Sequence, residues 1–165
     1  MAEIVLIQTF VGSFDEMSTR LPESLLAVAS VPVSKGYDVL IADQRVSPNF
    51  ENDIIEGVGP ETVIFGLTAI TGPQIRYGME ISKFLKARYP DIPICWGGVH
   101  ATLLPEQTVA HPLVDFVVVG DGEYVFCELF ECLRDGKSYE DLRGIAYKDL
   151  NEKLSRMPDM WKLRI

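Results

Sequence analysis

The sequence predicts an α/β domain of the doubly wound class, a parallel sheet covered by helices on both faces. Short apolar runs alternate with helix-length segments almost from end to end. The runs are continuously apolar rather than alternating, as expected of strands buried on both sides. The fourth run closes on Trp96-Gly97-Gly98-Val99-His100-Ala101-Thr102. Two glycines ending a strand mark a sharp bend or a place where a ligand lies against the backbone. On open parallel sheets ligands bind beyond the carboxyl ends of the strands.

Taken in order, residues 4–8 (Ile-Val-Leu-Ile-Gln) form the first strand, and residues 21–35 a helix stopped by Gly36. Residues 38–42 form the second strand, 51–56 a short acidic helix and 62–67 the third strand. A helix over 73–89 starts on Pro73, which suits a first turn, and turns Ile75, Met79, Ile81, Phe84 and Leu85 inward. Residues 93–96 are the fourth strand, 105–110 a short helix, 116–119 the fifth strand and 123–134 a helix ended by Asp135-Gly136. Five strands of this kind suggest the flavodoxin-like order 2-1-3-4-5. Pro32 falls inside the first helix and opposes the carbonyl of Val28, which predicts a kink or early end near Val31 and a separate turn over 33–35. Residues 144–148 and 153–157, around Asp149-Leu150-Asn151-Glu152, read as a β-hairpin, followed by an aperiodic tail with an exposed Trp161. The expected division is an α/β domain over 1–143 and a hairpin and linker over 144–165.

The chain has 165 residues, 47% of them hydrophobic, which suits one globular domain with a proper core. Its net charge of −9 argues against nucleic acid and anionic membrane surfaces as partners. No run approaches the roughly 18 apolar residues needed to span a bilayer. The N-terminus lacks the basic and apolar regions of a signal peptide. Three cysteines, Cys95, Cys127 and Cys132, read as buried thiols in a reducing compartment, so a cytoplasmic location is expected.

Three strand-end loops define a candidate ligand edge: Thr9–Ser13, then Gly66-Leu67-Thr68-Ala69-Ile70-Thr71-Gly72, then the Gly97-Gly98 loop. In the expected order the first and third strands are neighbours whose connections leave to opposite faces, opening a crevice between them. Thr68 and Thr71 can bond a flat polar ligand, while Ala69 and the glycines allow close approach. Each loop also makes sense as a tight turn. After the fifth strand, Asp121 suits an N-cap and Glu123 a first helical turn. Of the two histidines, His100 lies on the ligand edge, whereas His111 reads as a charge partner at a helix C-terminus. Neither has a second donor at metal-ligand spacing. Phosphate-binding loop, phosphorelay-receiver and nucleophile-elbow patterns are absent.

These segments together resemble a known family, the N-terminal cobalamin-binding domain of B12-dependent radical S-adenosylmethionine enzymes. The matching pieces are Leu21-Pro22-Glu23-Ser24-Leu25-Leu26-Ala27-Val28-Ala29, Lys35-Gly36-Tyr37-Asp38-Val39 with Asp43, and Gly66-Leu67-Thr68. Pro90-Asp91-Ile92-Pro93-Ile94 and Gly97-Gly98-Val99-His100-Ala101-Thr102 with Pro105-Glu106 come next. Asp115-Phe116-Val117-Val118-Val119-Gly120-Asp121-Gly122-Glu123 and Gly144-Ile145-Ala146-Tyr147 complete the set. The Gly-Gly-x-His-Ala-Thr and Val-x-Gly-Asp-Gly-Glu pair is the specific part. The resemblance implies a corrinoid whose nucleotide tail enters the crevice. Thr68-x-Ile70 and Gly97-Gly98 match by position the segments that line that tail in related domains. The cofactor-binding set it implies is Thr9, Phe10, Thr68, Ala69, Ile70, Thr71, Gly97, Gly98, His100, Ala101, Gly120 and Glu123. Members include methyltransferases and proteins named magnesium-protoporphyrin IX monomethyl ester cyclase.

Two departures shape the expectation. The Asp-x-His-x-x-Gly loop that supplies a lower cobalt ligand in many B12 domains is missing after the first strand. A base-off cobalamin without a protein imidazole is therefore expected. The Cys-x-x-x-Cys-x-x-Cys set that holds an iron–sulfur cluster is also missing. The expected role is a non-catalytic corrinoid module, an excised domain or a stand-alone relative. Its partner would be a radical SAM domain, with iron–sulfur cluster and S-adenosylmethionine confined to that domain. The alternatives are a flavodoxin-like docking or substrate-positioning domain without cofactor, and a flavin-binding redox module.

Overall fold

A computed structural model describes residues 1–13, 15 and 20–148. In chain order the elements are β1 (Ile4–Gln8), α1 (Glu23–Ser34), β2 (Val39–Asp43), α2 (Phe50–Gly57), β3 (Ile64–Thr68) and α3 (Pro73–Arg88). Then come β4 (Ile94–Gly97), α4 (Gly98–Leu103), α5 (Pro105–Val109), β5 (Phe116–Val118), α6 (Glu123–Asp135) and β6 (Ile145–Tyr147). The sheet has the order β2-β1-β3-β4-β5-β6. The first five strands are parallel, and β6 runs antiparallel to β5, with Val117 opposite Ala146. The flavodoxin-like order is thus present with a sixth strand added. That strand is the first arm of the expected hairpin; it pairs with the main sheet because β5 would otherwise leave its backbone groups open. The return arm and Trp161 lie outside the described residues.

Two apolar layers sandwich the sheet. On one face Val5, Ile7, Phe65, Leu67, Trp96 and Val117 pack under α2, α3, α4 and α5. On the other, Ile4, Leu6, Ile64, Cys95, Phe116 and Val118 pack under α1 and α6 through Leu25, Ala29, Phe126, Leu129 and Phe130. On α3, Ile81 and Leu85 are buried while Ile75, Met79 and Phe84 are half-buried against the core. The same helix also buries Gln74, Gly78 and Ser82. Trp96 explains two of these. Its ring lies where a Cβ on Gly78 would come within 2.8 Å, and its Nε1 donates to Ser82 Oγ at 3.2 Å.

Pro32 does not end α1, which continues to Ser34. The missing N–H falls in the last turn, and a C-cap closes the helix beyond it. Tyr37 N donates to Pro32 O at 3.1 Å and Gly36 N to Val33 O at 3.0 Å. Gly36 takes φ +88°. This is a Schellman closure, with the buried Pro32 ring as its apolar contact position. The stretch 98–103, expected as loop, is helical because Gly98 turns the chain at φ +85° directly into α4. Gly122, rather than Asp121, occupies the N-cap of α6, and Glu123 sits in its first turn as expected. His111 stands beyond α5 and accepts a bond from Leu113 N at 3.2 Å through Nδ1, so it shapes a turn instead of closing a helix. Cys95 and Cys127 are buried, but Cys132 is half-buried because it lies on the flank of α6.

Candidate functional site: a slot under two helices

The connection after β1 crosses one face of the sheet and that after β3 crosses the other, so the topology reverses between these neighbours. At this edge, beneath α1 and α6, lies a slot of about 170 Å³. Its floor is set two residues inside the ends of β1, β3 and β4 and at the end of β5. Leu6, Gly66, Cys95 and Val118, one from each of four adjacent strands, point to this face. Gly66 is the deepest restriction: a Cβ there would stand 2.7 Å from Leu6 Cδ2 and 3.1 Å from the Phe126 ring. The roof is Ala27 and Val28 of α1 with Phe126 of α6. The two helices meet at Gly122, where an added Cβ would contact Val28 at 3.3 Å.

Polar groups gather at the mouth. Thr68 ends β3, Ser24 lies in the first turn of α1, and Asp121 and Glu123 flank the start of α6. No lysine or arginine is among the described lining residues. The thiol of Cys95 is the polar atom of the floor; it contacts Trp96 O at 3.8 Å, and burial pushes its pKa up to about 12.

The strand-end loops are laced together. Ala69 N donates to Gly97 O at 3.0 Å, His100 N to Ala69 O at 3.0 Å, and Gly120 N to Thr102 Oγ1 at 3.0 Å. Gly98 is needed for this lacing itself. A Cβ there would sit 2.7 Å from Thr68 Oγ1 and 2.9 Å from Ala69 O, at a positive φ. Replacing Gly98 therefore strains the edge itself and not only the space for a ligand. Gly97 differs: it has φ −140°, and a Cβ on it meets nothing within 4 Å.

Of the residues expected at the ligand edge, Thr68, Gly97, Gly98, Gly120 and Glu123 line the slot. The others sit at the same edge without lining it. Ala69 and Ala101 are buried in the opposite core layer. Ile70 and Thr71 are exposed, and Thr71 Oγ1 lies 3.2 Å from Nδ1 of the buried His100. Phe10 stacks edge-on against Tyr77 at 5.6 Å, and its N–H donates to Gln44 Oε1 at 3.1 Å. Thr9 is fully buried, and its Oγ1 has no hydrogen-bond partner among the described residues. Gln74 bridges the two loops at the reversal point, accepting from Ile70 N at 2.8 Å and donating toward Thr9 O at 3.5 Å. Sequence reasoning missed Ser24, Ala27, Val28 and Phe126 as slot residues, and Leu6, Cys95 and Val118 as its floor. Gly66 gave a signal: an isolated glycine inside an apolar strand marks close approach.

Among the described residues no three histidine, cysteine or carboxylate side chains are grouped to hold a metal ion. No helix among them is long and apolar enough to cross a membrane.

Comparison with known proteins places the chain in a family. Residues 22–130 match the family model described as B12 binding domain. An anaerobic magnesium-protoporphyrin IX monomethyl ester cyclase of Synechocystis sp. is 26% identical over 141 residues, covering 83% of this chain and 28% of that protein. An uncharacterized methyltransferase of Pyrococcus horikoshii is 32% identical over 145 residues, covering 86% of this chain and 30% of its own. The chain thus spans less than a third of these relatives. Among solved structures, the radical S-adenosylmethionine methyltransferase TsrM from Kitasatospora setae, determined with cobalamin and a 4Fe–4S cluster, superposes with TM-score 0.77 at 19% identity over 96% of this chain and 29% of its own. The cobalamin-dependent S-adenosylmethionine radical enzyme OxsB gives TM-score 0.73 at 20% identity over 94% of this chain and 22% of its own. With the family model matched over residues 22–130, well over half of its length, this chain belongs to the B12-binding domain family.

Proposed function

We propose that this chain is a corrinoid-binding module that takes the nucleotide tail of cobalamin into the slot beneath α1 and α6 and seats the corrin over the strand-end loops. The slot carries this reading. It opens at the topological reversal of the sheet, and its glycines leave unfilled space where side chains would otherwise close the face.

The residues fit the group. Leu6, Cys95, Val118 and Phe126 supply an apolar bed for a flat aromatic base, and Gly97 leaves its passage open. Ser24 and Thr68 offer hydroxyls at the mouth, and the carboxylates of Asp121 and Glu123 can accept from sugar hydroxyls there. Bound cobalamin supplies a redox-active cobalt centre, and the protein positions it. The loop after β1 offers Phe10, Val11 and Ser13 but no imidazole. Its backbone is fixed by Asp15 Oδ2, which accepts from Val11 N at 2.6 Å and Gly12 N at 3.1 Å. Cobalamin bound here would accordingly be base-off, with no histidine of this loop to ligate its cobalt. The module serves a radical SAM domain of a longer protein, where the iron–sulfur cluster and S-adenosylmethionine belong.

Titration with hydroxocobalamin, desalting and an absorption spectrum test this reading. The native chain is expected to retain a base-off spectrum. Gly97→Phe, whose side chain enters the slot from an unstrained backbone, is expected to retain none while keeping the native circular dichroism. Failure of the native chain to retain any corrinoid, or full retention by Gly97→Phe, would overturn it.

A further inference from the structure

The slot divides its chemistry by depth. Every charged or hydroxyl-bearing side chain that lines it stands at the mouth, in a first helical turn, a strand end or the loop before α6. The floor offers Leu6, Gly66, Val118, the Phe126 ring and one thiol already turned to the Trp96 carbonyl. A ligand end that reaches the floor therefore finds dispersion contacts and no free hydrogen-bonding partner. A base-off benzimidazole brings one free ring nitrogen and otherwise hydrocarbon edges, so it loses less on entering such a space than a more polar base. A purine would bury ring nitrogens and an exocyclic amino group without replacing their bonds to water.

From this we infer that the slot selects among corrinoids by their lower base, admitting the benzimidazole class and rejecting the adenine class. The inference rests on the corrinoid reading above and adds a specificity to it. Leu6, Gly66 and Val118 are the specificity-determining residues, Gly66 because any side chain there would collide with Leu6 and the Phe126 ring.

Equilibrium binding of three compounds to the native chain tests it: hydroxocobalamin, the corresponding adenine-based corrinoid, and cobinamide, which has no nucleotide tail. Cobalamin is expected to bind about tenfold or more tightly than the adenine form, the scale on which an apolar pocket discriminates against added polarity. Cobinamide is expected to bind more weakly than cobalamin. Equal affinity for the two base-bearing corrinoids, with cobinamide weaker, would overturn the selectivity and leave the corrinoid reading standing. Equal affinity for cobinamide and cobalamin would show that the base never enters the slot, and overturn it too. Binding of none of the three would defeat the corrinoid reading itself. Val118→Thr places a hydroxyl in the floor at nearly constant shape and is expected to narrow the gap. An unchanged gap in that variant would assign the selectivity elsewhere and overturn the inference.

Discussion

The two faces of the sheet are built from the same strands and do opposite things. β3 and β4 turn Phe65 and Trp96, both fully buried, toward α3, and turn Gly66 and Cys95 toward α1 and α6. One face is filled to the point where α3 must carry Gly78 and Ser82 to make room for the indole. The other keeps an open slot between its helices. A binding space can thus persist because stability is supplied across the sheet from it. Large and small residues alternate with the two-residue period of a strand, so a single stretch of chain serves both ends.

Substitutions at adjacent positions of β4 should separate these roles. Trp96→Ala removes the largest buried side chain of the packed face and orphans Ser82, and is expected to cost about 3–5 kcal/mol in urea unfolding. Cys95→Ala, one residue earlier but facing the slot, is expected to cost about 1 kcal/mol or less. Similar losses at the two positions would mean that both faces carry the fold's stability alike.

Cys95 also gives the slot face a pH signature. Its thiol titrates near 12 in the folded chain against an ordinary value near 9.0. Between these values the unfolded chain has lost the proton that the folded chain still holds. The contribution is intact below about pH 9 and falls as pH rises toward 12, with a slope of at most about 1.4 kcal/mol per pH unit. Comparing alkaline unfolding of the native chain with that of Cys95→Ala checks this, since the variant is expected to show the shallower decline.

The smallest effect lies where the slot helices are tied at their far ends. Glu131 of α6 accepts from Lys35 Nζ at 2.9 Å and from Tyr37 OH at 2.9 Å, and the bond from Lys35 holds its carboxyl below the usual range. The pair is open to water, so Glu131→Gln is expected to lower the thermal midpoint only slightly, with the difference vanishing in concentrated salt. A large loss would mean that this tie sets the separation of α1 and α6.

Much of the architecture is legible in the sequence. The first strand is legible to the residue, and the other four parallel strands within two residues of their observed ends, because buried strands flanked by glycine and proline leave little ambiguity. The slot itself is not legible. Uniformly apolar strands show that neighbours point to opposite faces but not which face lies under which helices, so Gly66 and Cys95 could not be assigned to a slot. Ser24, Ala27 and Val28 become slot residues only because α1 packs beside α6, a tertiary property. Pro32 misleads because the penalty of an interior proline takes no account of the Schellman closure that Gly36 and Tyr37 provide. The glycine pair signals the right edge but hides a division of labour: Gly98 holds the β3 and β4 loops together, and Gly97 leaves space.

The antiparallel strand β6 has a bearing on how this domain can be handled. Phe116, Val117 and Val118 would without it form an unbroken apolar border, a template on which other chains could add as strands. A strand of only three residues, then Lys148 whose Nζ reaches across to the carbonyl of His111, act as a guard on that border. Trimming the domain before Ile145 is therefore expected to yield material that self-associates through β5, and boundaries for recombinant use belong beyond Lys148.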